Sequence, residues 1–166
     1  MGDDHLLTRR KAIAAATIGC AALGSVRAEA GADPSIDPEG ALRAFLRAFE
    51  NCDLAAMEAA FAPDATNFDR APREVGDLSL YRRKSGMPAG MRQLALSLPK
   101  TRSGPPYHQV EPSNLIVDRH GDLAIATFEL DGADNLGRRT VILRQHAGRW
   151  LIVHIHASNV YARPAG

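Results

Sequence analysis

His154 and His156 stand two residues apart in the stretch RWLIVHIHASNVY, residues 149–161, which also holds the chain's one tryptophan. Imidazoles at that spacing support three kinds of chemistry. A metal site would take two of its three or four ligands from His-x-His, at about 2 Å. His108, His120, His146 and Asp69 are the candidates for a third ligand, but His120 and His146 fall in turn sequences where rings are solvated, and no metal is expected. Acid–base catalysis needs a group that titrates near working pH, and histidine does so unaided. The third reading is structural, with both rings hydrogen-bonding to neighbouring strands or to a second subunit.

Side chains alternate along a strand, so Trp150, Ile152, His154, His156 and Ser158 are predicted to share one face. Leu151, Val153, Ile155 and Ala157 share the other, which is apolar throughout and must be covered. The first face grades from Trp150 to a polar end, the pattern of a mostly apolar pocket with a few convergent polar groups. On that pattern Trp150 packs against a ligand and Ser158 touches it. Tyr107 and Tyr161 are the available phenols. Arg144 shares its alternation with Thr140, Ile142 and His146. If that face looks inward, Arg144 anchors a carboxylate or phosphate; otherwise it is a surface arginine.

The elements that must position these residues fall into two groups. Asp37-Pro38-Glu39 has the form of a helix start, with an N-cap, a proline at the first helical position and an acid facing the dipole. Leu42, Phe45, Leu46 and Phe49 follow at the spacing of one helix face. Asp53 caps a second short helix, LAAMEAAF, with Leu54, Met57 and Phe61 inward and Pro63 ending it. DATNFDR is a short extended run. A third helix is predicted within DLSLYRRKSGMPAGMRQLALSL, broken near Gly86-Met87-Pro88. Tyr81-Arg82-Arg83-Lys84 forms its solvated face, or an anion-binding patch. Four strand candidates follow: HQVEPSNLIVDRHGD, LAIATFELDG, GRRTVILRQHAG and RWLIVHIHAS. Tight turns between them predict an antiparallel meander. Helices first and strands after give an α+β class. Pro112 marks the first of the four as an edge or bulged strand.

Composition bounds the partners. The chain has 166 residues, a net charge of +1 and nine aromatic residues with no basic-aromatic interleaving, so nucleic acid is not expected as a partner. Residues 1–30 have the layout of a secretory signal peptide, with Arg9, Arg10 and Lys11, an Ala-rich apolar run, then small residues. TRRKAIA also resembles a twin-arginine export signal. Cleavage would follow Ala28 or Ala30 and leave a periplasmic or secreted protein; a lipoprotein signal at Cys20 is the alternative. The apolar run is shorter than the roughly 20 residues a stable membrane span takes. Residues 31–36 then form a linker, 37–162 the domain and 163–166 a tail. After cleavage Cys52 remains, more in keeping with a buried structural thiol than a nucleophile.

FENCDLAAMEAAFAPDATNFD resembles the helix–helix–strand opening of SnoaL-like domains in the nuclear transport factor 2 (NTF2)-like superfamily. GRWLIVHIHAS is similar to their closing strand. The resemblance runs from Asp37 to Ser158 and points to the branch with ketosteroid-isomerase-like proteins and the association domain of calcium/calmodulin-dependent kinase II. It implies a cone: a bent antiparallel sheet wrapped around about three helices, with a pocket between them and a homodimer through the outer sheet face. It also places Asp69 near that pocket. Members include isomerases, dehydratases, hydrolases and non-catalytic binders, so the fold alone delivers no reaction. Ketosteroid isomerases use a tyrosine of the first helix, and this chain has none between Asp37 and Asp53. A carbonic-anhydrase branch carries His-His-Ser-Ser, whose adjacent pairs are missing here. The expectation is a small apolar molecule in the cone, with no cofactor. His156 or Asp69 would move a proton, His154 and Ser158 would orient the substrate, and Trp150, Tyr107 and Arg144 would complete the site. The alternative is a ligand-binding or dimerisation module with structural histidines.

Overall fold

The computed structural model describes residues 37–72 and 74–162. The expected export segment, the linker and the tail lie outside the described residues. Helix α1, Pro38–Glu50, starts where the sequence places it, with the Asp37 carboxylate accepting the Gly40 N–H at 2.7 Å. Leu42, Phe45, Leu46 and Phe49 form its buried face. Helix α2, Leu54–Ala59, is capped by Asp53, which accepts the Ala56 N–H at 3.0 Å. It ends two residues before Phe61, which opens strand β1, Phe61–Phe68, instead of continuing the helix. Pro63 consequently lies inside β1, at a break in its pairing, where the missing N–H is tolerated.

Between β1 and the third helix the expected helical face Tyr81–Lys84 is absent. A 3-10 turn, Leu78–Tyr81, leads into a two-residue strand β2, Lys84–Ser85, and then helix α3, Ala89–Ser97. Gly86, at φ 74°, turns the chain in a way glycine permits. The four predicted strands are present as β3 (Ser113–His120), β4 (Leu123–Asp131), β5 (Asn135–His146) and β6 (Arg149–Tyr161). Ala147 and Gly148, both at positive φ, close the β5–β6 hairpin in two residues. The sheet order is β2-β1-β6-β5-β4-β3. β3 to β6 form the antiparallel meander, β3 is an edge, and its pairing shifts between Ser113 and Ile116, just beyond Pro112. β1 joins β6 in parallel.

The sheet curls without closing, in the NTF2-like cone arrangement. Its concave face carries registered rows such as Val117–Ala126–Val141–Ile155–Asn67 and Arg119–Ala124–Leu143–Ile152–Phe61. These pack with Leu42, Phe45, Leu46 and Phe49 of α1 and with Met57 into one core. Among the described residues no helix is long and apolar enough to cross a membrane.

Candidate functional site

The alternation of β6 reverses midway. Leu143 pairs with Ile152, but the next residue of β5, Ile142, pairs with His154, so Val153 is an extra residue in the ladder. Such a bulge flips every later side chain to the other face. Trp150 and Ile152 therefore point into the core, as do Ile155 and Ala157 beyond the bulge. His154, His156 and Ser158 lie on the convex face. The predicted single face from Trp150 to Ser158 is corrected accordingly.

The cone encloses a cavity of about 240 Å³ between α1, α3 and the sheet. Phe45, Leu46 and Phe49 of α1, Met91 and Leu94 of α3, and Phe128, Leu130, Ile155 and Ala157 of the sheet give it apolar walls. Its polar groups are Asp69, Arg70, His108, Gln109, Glu111, Asp131 and Arg139. Arg70, Glu111 and Asp131 are exposed, whereas Asp69, His108 and Arg139 are half-buried.

Asp69 follows β1 directly, and both its oxygens are held. Oδ1 accepts the Arg70 N–H at 2.8 Å and Oδ2 accepts the Gly90 N–H, in the first turn of α3, at 2.9 Å. Two main-chain donors fix the carboxylate against the cavity and leave each oxygen a lone pair to spare. The absence of a side chain at Gly90 permits this approach, since a Cβ there would stand 3.0 Å from Oδ2.

Arg139 lies in the registered row Phe128–Arg139–Ala157 of the concave face. Its Nη1 donates to the main-chain carbonyls of Arg138 and Ser158, both at 2.9 Å. Burial draws the guanidinium pKa downward, the like charge of Arg70 adds to this, and Asp69 opposes it; the group stays charged at neutral pH. His108 uses Nε2 to donate to the Phe49 carbonyl at 2.9 Å, which leaves Nδ1 as the acceptor of the neutral ring.

The remaining sequence candidates are dispersed. His156 and Ser158 line a second, more open hollow of about 470 Å³ on the other side of Asp69, with Phe68, Tyr81, Asn159 and Tyr161. His154 lines neither hollow. Its Nδ1 is 2.8 Å from Thr66 Oγ1, and both histidine rings contact Phe68. Trp150 is buried in the core beneath Arg119, whose Cζ is 5.1 Å from the ring centroid. Tyr107 bonds through its main chain to Glu50 and Arg102 and is not part of the cavity wall. Arg144 points to the convex side, where it pairs with Asp64 at 3.2 Å. Among the described residues no three His, Cys, Asp or Glu side chains converge as a metal-ligand set.

Among the polar cavity residues, the sequence reading missed Arg70, Gln109, Glu111, Asp131 and Arg139. For Arg139 the signal was available: it alternates with the apolar Val141 and Leu143, Arg144 with the mixed set Thr140, Ile142 and His146. A charge in register with the apolar face is the one that points inward.

Comparison with known proteins agrees with this fold. The sequence profile of the SnoaL-like domain family matches residues 39–162. No curated protein matches the chain. Among solved structures, an NTF2-like protein of unknown function from Pseudomonas putida is similar with a TM-score of 0.52 at 24% identity, covering 72% of this chain and 82% of that one. A provisionally assigned ketosteroid isomerase from Shewanella frigidimarina gives a TM-score of 0.54 at 18% identity, covering 75% and 97%. A provisionally assigned dehydratase of the NTF2-like family from Streptomyces avermitilis gives 0.54 at 22% identity, covering 74% and 92%. At these identities the likeness is one of fold.

Proposed function

The chain belongs to the SnoaL-like domain family, and from that premise we propose that it binds a small, largely apolar molecule in the cone cavity and moves a proton on it without a cofactor. Asp69 is the proton-transfer group. The observation that carries the reading is its carboxylate, fixed by two main-chain donors in the wall of a hollow whose lining is largely apolar. A carboxylate placed beside a carbon next to a carbonyl takes the C–H proton, and the electron pair moves to the carbonyl oxygen. Arg139 supplies a half-buried positive charge to the molecule bound in the same cavity. Return of the proton to another atom gives isomerase-type chemistry, and loss of a neighbouring hydroxyl gives a dehydratase. The dehydratase and isomerase assignments of two structural neighbours favour this class. His154 and His156 act on the convex face in this reading.

β-Tetralone, a neutral two-ring ketone, tests the proposal. NMR should show the protein accelerating exchange of its α-hydrogens with deuterated solvent, and Asp69→Asn should abolish the acceleration while binding remains. Binding without accelerated exchange in the unmodified protein would leave a non-catalytic binder. No binding would remove the cavity reading.

A homodimer through the convex face is proposed alongside. Ile116 and Val160 are 57% and 46% exposed, and the row Asp118–Ile125–Ile142–His154–Thr66 lies beside that of Ile116 on the same face. Sedimentation equilibrium on the protein and on Ile142→Glu tests it; a monomer at all concentrations is the contrary result. Export rests on residues 1–30 and is tested by fusing them to a periplasmic reporter.

A further inference from the structure

We infer that the molecule held in the cone is an acid, whose carboxylate is seated on the guanidinium of Arg139. The inference rests on the cavity reading above and adds the class of ligand to it. It starts from a charge that the described residues leave unmatched. No carboxylate among them lies within ion-pair distance of Arg139. The nearest interior acid, Asp69, already accepts two main-chain N–H groups, one from the first turn of α3. Asp69 offsets the arginine's charge only in part, from beyond ion-pair distance, and burial and Arg70 outweigh it.

The bonds of the guanidinium fix which edge is free. Nη1 is committed to the Arg138 and Ser158 carbonyls, with Asn159 Oδ1 at 3.5 Å. Nε and Nη2 have no hydrogen-bond partner among the described residues and are not sealed from solvent. A half-buried cation held by one nitrogen, with its other donors open beside a cavity, matches an oxyanion that accepts two parallel N–H bonds. Main-chain carbonyls hold it in place but carry no full negative charge. A carboxylate ligand supplies that charge and relieves the cost of desolvating an unpaired cation.

Gly137 makes the seat possible. It is buried on the same face of β5, two residues before Arg139. A Cβ at Gly137 would stand 3.1 Å from Nη1 and Nη2 and 3.3 Å from Cζ. The guanidinium thus lies flat over a position without a side chain, and a Cβ there would oblige it to shift by a few tenths of an ångström. The volume sets the size of the acid. A cavity of about 150 Å³ holds benzene, so about 240 Å³ suits one or two rings, or a branched chain, carrying one carboxylate.

The experiment compares 2-naphthoate with 2-naphthamide, which share a ring body and differ in charge, by calorimetry on the full chain. The acid should bind about tenfold or more tightly than the amide, the scale of a charge-assisted pair. Arg139→Gln should erase the preference while retaining the amide, whose binding also reports that the variant is folded. Gly137→Ala keeps the charge but moves it and should reduce the preference as well. Arg144→Ala, on the convex side, should leave it unchanged. Equal affinity of the two probes, or a preference that survives Arg139→Gln, would overturn the inference and leave the cavity reading standing. Failure of both probes to bind would overturn the two together.

Discussion

Thr66 and His154 are joined across the parallel pair of strands β1 and β6, with Oγ1 and Nδ1 2.8 Å apart. Burial first, then the neighbouring His156 and Arg83, hold the His154 pKa below the ordinary histidine value. The folded protein therefore favours the neutral ring, whereas the unfolded chain takes up the proton near about pH 6.5. A depressed histidine pKa contributes stability that is complete above that point and is lost as pH falls through the folded pKa. Melting temperature should fall between about pH 7 and about pH 5, and His154→Phe should flatten the curve. Equal slopes in both proteins would assign the acid sensitivity to other groups.

Asp69→Asn should weaken the fold as well as the site. An amide accepts through one oxygen only, so either the Arg70 or the Gly90 N–H then faces an NH2 group. The loss should be about 1–2 kcal/mol, measured by urea unfolding. A stability equal to that of the parent would mean that the loop after β1 does not depend on these two bonds.

Arg144→Ala should cost no more than about 0.5 kcal/mol, because its pairing with Asp64 is exposed on both sides. Thermal denaturation and naphthoate titration together check this. A large loss of affinity would return Arg144 to the binding site.

Leu143→Ala should cost about 2–5 kcal/mol. Leu143 is 1% exposed and stands between Ala124 and Ile152 in the concave row. Ala124 has little side chain with which to fill the space. Chemical denaturation measures the effect, and a loss below about 1 kcal/mol would indicate that α1 moves in.

The starts of α1 and α2, the meander and the edge character of β3 were legible in the sequence because local chemistry decides them. Asp37-Pro38, Pro112 and Ala147-Gly148 act within a few residues of themselves. The family resemblance put Asp69 near the pocket, and it lines the cavity; its second N–H partner, Gly90, is brought to it by the tertiary fold. The histidines were placed on the wrong side relative to Trp150 because alternation is a rule about unbroken strands, and nothing in LIVHI announces an extra residue at Val153. Phe61 reads equally well as the end of a helical stripe or the start of a strand, and pairing with Ile152 decides between them.

β6 follows the other described strands, yet it lies between β1 and β5 in the sheet. A ribosome that has delivered everything up to Gly148 holds an opening strand with only a two-residue companion, and a hydrophobic helix awaiting its floor. Commitment to the native topology is thereby postponed until β6 has emerged, so a nascent chain stalled before Trp150 should remain protease-sensitive and available to chaperones.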